Sequence, residues 1–207
     1  MKVIAVSGTP GTGKTILSKK LAKNLNYYYL DVNKLISEYK LSEGYDKKRK
    51  TKIVNVKKLN KKLIDIINFF KKYNINENAS EMASESPCEP RMSLSRQTVK
   101  KHLLNKNIKI KFNKKNKKIN GIVIDSHLSH YLPRKYVDFC IITKCDIEEI
   151  NKRLKIKKFH KNKIQENLQA EIFNVCYNEA LEKKHKIIVV NTTKSINISS
   201  IAKELGG

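Results

Sequence analysis

Apolar residues occur along this chain in two patterns, short unbroken runs and longer stretches with helical spacing. The unbroken runs are typical of buried strands, whereas apolar positions at helical spacing are typical of amphipathic helices. The runs predict strands at residues 3–6, 27–30, 121–125, 139–143 and 187–190. The helical spacings predict helices at residues 15–25, 32–39, 59–73, 146–155, 164–180 and 195–205.

Two of these helices carry more specific expectations. The helix at 146–155 is expected to begin with Asp146 as its N-cap and a carboxylate three residues later, at Glu149. The long helix is expected to be continuous and to carry on one face Ile164, Leu168, Ile172, Val175 and Ala180.

The alternation of strands and helices indicates a fold of the α/β class. This order favours a parallel sheet with right-handed crossovers, here of five strands flanked by helices. We expect the strand at 27–30 to lie beside the first strand. Ligands of such folds bind beyond the carboxyl ends of the strands, so the functional residues are expected there. A length of 207 residues favours a single domain.

A long stretch of different composition interrupts these elements. Between Asn74 and Lys118, residues such as Asn, Ser, Glu, Pro and Lys replace the long apolar periodicity. A connection of this length inside a compact domain is functional or disordered, and this composition favours disorder in its first half. Its second half allows a short helix at 99–104 and a strand at 108–112. We therefore assign residues 1–74 and 119–207 to the core and residues 75–118 to an insertion.

The first predicted strand runs directly into a glycine-rich sequence. It fits the pattern GxxxxGK(S/T), between a strand and a helix, with Gly8, Thr9, Pro10, Gly11, Thr12, Gly13, Lys14 and Thr15. Its glycines allow the backbone to wrap around a polyphosphate and to direct N–H groups inward at the positive end of the helix. Lys14 supplies a charge for the β- and γ-phosphates, and the Thr15 hydroxyl supplies a ligand for Mg²⁺. The sequence thus predicts a P-loop NTPase that binds ATP and Mg²⁺, with Ile16 included among the nucleotide-binding residues.

The predicted strand at 121–125 ends in a carboxylate, Asp125. P-loop enzymes place at this position the aspartate that holds the metal ion through water. Two histidines follow, His127 and His130. Their spacing after an aspartate leaves a transition-metal site open, although two histidines and one carboxylate commonly occur together by coincidence. The alternative for His130 is a structural hydrogen bond within a loop.

The chain is strongly basic, with 44 Lys and Arg against 19 Asp and Glu and a formal net charge of +25. Such a charge attracts polyanions and makes any contact with nucleic acid dependent on salt. Nearly all of the positive charge is lysine interleaved with Asn and Ile, a bias that an AT-rich genome also produces. An RNA-binding face and a simple solvated basic surface both remain open.

The cysteines and tyrosines are expected to have structural rather than catalytic roles. The four cysteines form neither a CxxC pair nor a disulfide scaffold, so we expect free thiols, with Cys140 and Cys145 acting as small apolar residues. Tyr27, Tyr28 and Tyr29 are interpreted as strand and core residues rather than as a base-stacking platform. No stretch resembles a transmembrane span or a secretory signal, so we expect a cytoplasmic protein without a membrane partner, or a nuclear one if the source is a eukaryote.

Four stretches of the chain together resemble the adenylate kinase isoenzyme six family. They are the phosphate loop at 8–15, EGYD at 43–46, DSHLSH at 125–130 and ENLQAEIFNVC at 166–176. Many NTPases share the first stretch, whereas the last two in this order are specific. The resemblance covers almost everything except the insertion at 75–118.

This resemblance implies both an architecture and an activity. It implies a nucleoside-monophosphate-binding segment at about 31–54 and a short lid at about 156–164. The family transfers phosphate between ATP and AMP, hydrolyses ATP, and takes part in maturation of the small ribosomal subunit through a ribosomal protein. The resemblance gives catalytic roles to Lys14, Asp125 and His127, the histidine by positioning water or the metal beside the aspartate.

Two other classes of function remain open. One is an ATP-switched assembly factor whose basic surface binds pre-ribosomal RNA or protein and for which phosphorylation of AMP is incidental. The other is a P-loop kinase for a different small acceptor, because a phosphate loop alone does not choose the acceptor.

The lid departs from the family pattern. Lys157-Lys158-Phe159 stand where the family has Arg-Gly-Tyr, and we include Lys157 among the nucleotide-binding residues. Arginine grips phosphate oxygens with a planar fork, whereas lysine is a mobile point charge. We therefore expect a low ratio of AMP phosphorylation to ATP hydrolysis. The alternative is compensation by the neighbouring lysines Lys155, Lys158, Lys161 and Lys163.

Overall fold

The computed structural model describes residues 1–47, 51–72 and 120–206. Its centre is a parallel sheet of five strands in the order β2-β5-β1-β6-β7, which confirms the predicted fold class. These strands are β1 (Lys2–Ser7), β2 (Tyr28–Asp31), β5 (Gly121–Asp125), β6 (Phe139–Lys144) and β7 (Ile187–Asn191).

The position of β2 in the sheet differs from the prediction. We expected β2 beside β1, but β5 lies between them and pairs with both. The reason is burial, since every residue of β5 is buried and suits a central strand, whereas β2 is mostly half-buried and suits an edge.

Seven α-helices occur among the described residues. They are α1 (Lys14–Leu25), α2 (Val32–Glu38), α3 (Val56–Lys72), α4 (Ile147–Ile156), α5 (Lys161–Ile172), α6 (Val175–Glu182) and α7 (Ile198–Glu204). Two short 3₁₀ turns, Ser129–Tyr131 and Arg134–Tyr136, follow β5. In this part of the chain, no helix is long and apolar enough to cross a membrane.

The helices cover both faces of the sheet. On one face, apolar residues of α2 and α3 pack against alternate strand residues such as Val3 and Ile122. On the other face, α1 and α7 pack against the intervening residues, such as Ile4 and Val123. This alternation is the period of two that a strand imposes, and it leaves the carboxyl ends of the strands free to form a site.

The long helix predicted over 164–180 is two helices. Asn174 adopts a left-handed conformation, with φ 53°, between α5 and α6. The expected apolar face was wrong at this break, because Ile172 is 57% exposed and Val175 is 36% exposed, whereas Ile164 and Ala180 are buried. Asn enters the left-handed region more readily than most residues, so it allows the chain to turn here.

The sequence pattern also predicted no strands between α2 and α3. The structure has an antiparallel pair there, β3 (Ser42–Asp46) and β4 (Thr51–Val54). Their residues are half-buried or exposed and mostly polar, so no alternation of apolar residues marked them as strands.

The predicted start of α4 is confirmed in position but not in its hydrogen bonding. Asp146 is the N-cap residue, yet its side chain makes no capping hydrogen bond. Glu149 instead accepts a 2.8 Å hydrogen bond from Nε of Arg153, one helical turn further on. This i,i+4 ion pair takes the carboxylate that would have completed the cap.

Two remaining expectations concern burial and the insertion. Cys140 and Cys145 are buried free thiols packed in apolar clusters, as predicted. The insertion at 75–118, with its expected helix at 99–104 and strand at 108–112, lies outside the described residues.

Candidate active site

The phosphate loop lies between the end of β1 and the start of α1. A Cβ atom on Gly8, whose φ is +136°, would lie 2.6 Å from the carbonyl oxygen of Thr143 on β6, so only glycine fits there. Gly13 is the N-cap of α1, with φ 79°. The loop is braced internally, because the Thr12 hydroxyl donates a 2.8 Å hydrogen bond to the Thr9 carbonyl oxygen. Because α1 begins directly after Gly13, its positive N-terminal end faces this loop, as an anion site requires.

Lys14 is the first residue of α1, directly after the loop. Its Nζ donates a 2.9 Å hydrogen bond to the carbonyl oxygen of Thr9. Desolvation lowers the pKa of Lys14 to about 8, against the opposing attraction of Cys176 and Asp125. Anionic phosphates would favour the charged form of this amine, so the site is suited to a polyphosphate.

A cleft of about 950 Å³ opens beside the loop. This volume is at the upper end of the range of small-molecule sites, roughly 300–1,000 Å³. The structure brings most predicted site residues to its walls, namely Thr9, Pro10, Gly11, Gly13, Lys14, Thr15, Ile16, Asp125, His127 and Lys157. Gly8 and Thr12 lie outside the cleft lining and act through the shape of the loop.

Asp125 ends β5 beside the loop, as predicted. Its carboxylate is buried, and its Oδ2 accepts a 2.8 Å hydrogen bond from the Tyr29 hydroxyl. Oδ1 has no hydrogen-bond partner among the described residues. With the exposed Thr15 hydroxyl in the same cleft, the donor set is entirely oxygen. Oxygen donors are those that Mg²⁺ prefers, so the residues present fit that ion.

His127 is exposed to the cleft, two residues before the first 3₁₀ turn begins at Ser129. Desolvation by the cleft walls, followed by the positive charge of Lys14, lowers the pKa of His127 to about 4. The imidazole is therefore neutral near pH 7. It is able to donate or accept a hydrogen bond in the cleft without adding a charge.

His130 is buried in one wall of the cleft, and both of its ring nitrogens have partners. Nδ1 lies 2.6 Å from Oγ of Ser7, and Nε2 lies 2.9 Å from Oε2 of Glu179. The structural alternative for His130 is thus the observed one. Within the described ranges, no group of three or more His, Cys, Asp or Glu side chains is placed to hold a metal ion.

Arg153 is a cleft residue that the sequence interpretation did not identify. Its guanidinium donates hydrogen bonds to the carbonyl oxygens of Gly11, at 3.3 Å, and Thr192, at 3.1 Å. It therefore ties α4 to the phosphate loop and to the segment after β7. The available signal was its position four residues before Lys157, which places both side chains on one face of α4.

The two segments that the family resemblance singled out both reach the cleft. Asn33 and Thr51, from the segment at 31–54, line it. The segment at 156–164 forms the corner between α4 and α5, where Lys157 is the C-cap residue. Of the lysines considered as substitutes for an arginine, Lys163 lines the cleft, whereas Lys155, Lys158 and Lys161 do not.

Tyr29 is more than a strand residue. Tyr28 packs against Phe70 with ring centroids 5.2 Å apart, as the core interpretation predicted. Tyr29 instead bonds to Asp125, which the sequence did not indicate. Because β2 and β5 are neighbours in the sheet, two residues far apart in sequence meet at the site.

A parallel sheet with a phosphate loop after its first strand and a carboxylate at the end of the adjacent strand defines a P-loop NTPase fold. Comparisons with known proteins agree. A family model described as an AAA domain matches residues 4–174. A Thermococcus kodakarensis protein named "Putative adenylate kinase" is 30% identical over 191 residues, which are 92% of this chain and 76% of that protein.

The "Adenylate kinase isoenzyme 6 homolog FAP7" of Saccharomyces cerevisiae is 26% identical over 204 residues, or 97% of this chain and 78% of that protein. Among solved structures, deoxyadenosine kinase from M. mycoides with bound dATP aligns over all of both chains at 13% identity, with a TM-score of 0.48. Similarity at that level adds nothing to the assignment. The chain belongs to the AAA domain family and to the adenylate kinase isoenzyme six family that its motifs predict, and it is an enzyme of the phosphotransferase class.

Proposed function

We propose that the protein is a nucleoside-monophosphate kinase that transfers the γ-phosphate of ATP to AMP, with Mg²⁺-dependent hydrolysis of ATP as a second activity. The observation that carries this proposal is one cleft lined by Lys14, Asp125 and His127 together with Asn33 of the predicted monophosphate-binding segment. A donor site and an acceptor segment on the same cleft suit transfer between two nucleotides.

The proposed roles follow from the geometry. Backbone N–H groups of the phosphate loop and the Lys14 amine bind the phosphates of ATP. Thr15 and Asp125 would hold Mg²⁺, the aspartate through water, and the bound ion would neutralise phosphate charge. His127, neutral near pH 7, orients the acceptor or a water by a hydrogen bond. Phosphoryl transfer depends chiefly on alignment and charge neutralisation, so these groups suffice without a covalent intermediate.

The segment at 156–164 is proposed as the lid. Lys157 from this segment and Arg153 one turn before it present two positive charges to the cleft. Closing such a segment over the nucleotides would exclude water, which strengthens each electrostatic contact and suppresses hydrolysis.

The proposal is tested by titrating AMP against purified enzyme with ATP and Mg²⁺ held constant. Kinase activity requires ADP formation that increases and saturates with AMP, with two ADP formed for each ATP consumed in this AMP-dependent part. Asp125→Asn should raise the Mg²⁺ concentration needed for half-maximal activity, because it removes the proposed anchor of the ion's hydration shell. Hydrolysis alone forms one ADP for each ATP and does not depend on AMP, so a rate of ADP formation that AMP does not increase would reject the kinase assignment.

A link to maturation of the small ribosomal subunit is a second part of the proposal. The net charge of +25 supports it, because a basic surface suits contact with pre-ribosomal RNA or with a small-subunit ribosomal protein. This role corresponds to a cytoplasmic location, or to a nuclear one in a eukaryote. If ribosomal components stimulate hydrolysis while AMP has no effect, the protein is an ATP-switched assembly factor. A screen of other small acceptors decides whether AMP is the preferred one.

A further inference from the structure

A buried hydrogen-bond network forms part of one wall of the cleft, and the proposed reaction does not use it. At its centre is His130, which is only 1% exposed. Nδ1 of His130 lies 2.6 Å from the Ser7 hydroxyl, and Nε2 lies 2.9 Å from Oε2 of Glu179. Ser7 is the last residue of β1 and directly precedes the phosphate loop, whereas Glu179 belongs to α6. We call these three residues the Glu179 relay.

The direction of the hydrogen bonds in the Glu179 relay is determined by its chemistry. The carboxylate of Glu179 is an acceptor, and its other oxygen accepts a 2.6 Å hydrogen bond from the Tyr131 hydroxyl. Nε2 of His130 must therefore carry the proton. Desolvation lowers the pKa of His130, against the attraction of Glu179, so the ring is neutral. Nδ1 then has no proton and accepts from the Ser7 hydroxyl.

The relay connects to the loop that carries His127. His130 itself belongs to this loop, and its Nδ1 accepts the single hydroxyl proton of Ser7. Oγ of Ser7 also lies 3.2 Å from the carbonyl oxygen of His127, a contact that adds no second hydrogen bond while that proton is directed to His130. The same loop is fixed to β1 by Ser129, whose hydroxyl donates a 2.9 Å hydrogen bond to the carbonyl oxygen of Val6. Ser7, which leads into the phosphate loop, therefore contacts both histidines of this loop.

We propose that Glu179 is a positioning residue for phosphoryl transfer, which acts through His130 and Ser7 to hold the His127 loop against the entrance to the phosphate loop. This inference rests on the proposed kinase function, because it assigns Glu179 to the alignment of that site. Alignment matters at this scale, since a displacement of about 1 Å costs on the order of 10²-fold in rate.

Glu179→Gln separates positioning from packing, because it keeps the shape of the side chain. Glutamine has one acceptor oxygen for the two donors that Glu179 now serves, Tyr131 and His130, so one of these hydrogen bonds is lost. We expect kcat to fall about tenfold with the KM for ATP changed less than about twofold, the signature of lost alignment in the transition state.

Ser7→Ala removes the opposite end of the relay and should have a similar effect on kcat. Residues that act as one unit are not additive. The double variant Ser7→Ala/Glu179→Gln should therefore be no slower than the slower single variant. If the two effects multiply, each residue acts alone and the relay is rejected.

Asn178→Ala is the matched control on the same helix. The exposed Asn178 amide donates a 3.1 Å hydrogen bond to the carbonyl oxygen of Phe173, the C-cap residue of α5, which lies outside the relay. This variant should lose some thermal stability and keep the wild-type kcat. If Glu179→Gln loses activity only in proportion to its loss of folded protein, measured by circular dichroism, the residue is merely structural and the proposal is overturned.

The protonation of His130 gives a readout that does not depend on activity. Two-bond ¹H–¹⁵N spectra of ¹⁵N-histidine-labelled protein, assigned with a His130→Gln variant, should show a proton on Nε2 and none on Nδ1. A proton on Nδ1 would overturn the relay. If this spectrum is as expected but the wild-type protein transfers no phosphate to AMP, the proposed function fails and the Glu179 relay remains as a hydrogen-bonded connection without that catalytic purpose.

Discussion

The Tyr29 hydroxyl donates a 2.8 Å hydrogen bond to Oδ2 of Asp125 and so joins the edge strand β2 to the end of β5. Burial, and then the charge of Asp125, raise the pKa of Tyr29, so the phenol stays protonated and remains a donor. The bond fixes one carboxylate oxygen and leaves Oδ1 for other ligands. Tyr29 therefore orients the residue proposed to hold Mg²⁺ through water.

Tyr29→Phe should weaken the binding of Mg²⁺, because it removes the hydrogen bond that orients Asp125. Loss of a group that orients a metal-binding residue typically costs about 10–100-fold in metal affinity. We expect the Mg²⁺ concentration for half-maximal activity to rise about tenfold, with kcat restored at saturating Mg²⁺. Tyr27→Phe, the same change at a half-buried position away from the cleft, is the control. A Mg²⁺ titration of Tyr29→Phe that superimposes on the wild type would reject the role.

The lid lysine gives a second prediction. Lys157→Arg should raise the ratio of AMP phosphorylation to ATP hydrolysis, because a guanidinium aligns the transferring phosphoryl group with two parallel hydrogen bonds. Water is a small acceptor that needs less alignment, so hydrolysis should change less. Both rates are measured in the wild type and the variant at one ionic strength, since exposed charges are screened by salt.

Lys158→Arg is the control for the lid, because Lys158 is adjacent but does not line the cleft. An unchanged ratio in Lys157→Arg would show that another cation already fills the arginine's role. Arg153 is the first candidate, since its guanidinium already contacts the phosphate loop at the Gly11 carbonyl oxygen.

The insertion gives a third prediction. Replacing residues 76–117 with a short Gly-Ser linker should preserve ATP hydrolysis and the thermal midpoint. The described core packs through α3 and β5 on either side of the insertion, and changing the length of a loop costs only about 0.6 kcal/mol per doubling. Thermal unfolding and turnover of the shortened protein are the measurements. If the shortened protein is unfolded, residues 75–118 belong to the core and the proposed domain boundaries are wrong.

The parts of the fold that were predicted correctly depend on local sequence. The phosphate loop combines spaced glycines with Lys14, and β5 is an unbroken apolar run that ends at Asp125, so neighbouring residues suffice to identify both. Their meeting follows from the rule that parallel strands place their carboxyl ends together. The fold class and the main walls of the cleft could therefore be predicted.

The parts that were not predicted depend on contacts between distant segments. The break at Asn174 separates two helices whose residues all suit one helix, and only the packing decides where the chain turns. The partner of Tyr29 lies 96 residues away in sequence, and the two partners of His130 lie 123 and 49 residues away, so no local pattern shows them. In the sequence, Arg153 is one of many basic residues, and only the packing of α4 against the phosphate loop brings its guanidinium to the Gly11 carbonyl oxygen.

The central claim is that this cleft transfers phosphate from ATP to AMP, and its most direct test is to follow the label of [γ-³²P]ATP. The account predicts labelled ADP that increases and saturates with AMP, requires Mg²⁺, and falls at least about 10²-fold in Lys14→Ala, which loses a preorganised charge at the transferring group. Lys23→Ala, at an exposed position on the same helix, should match the wild type. Label that appears only in inorganic phosphate, or a Lys14→Ala variant that labels ADP at the wild-type rate, would contradict the account.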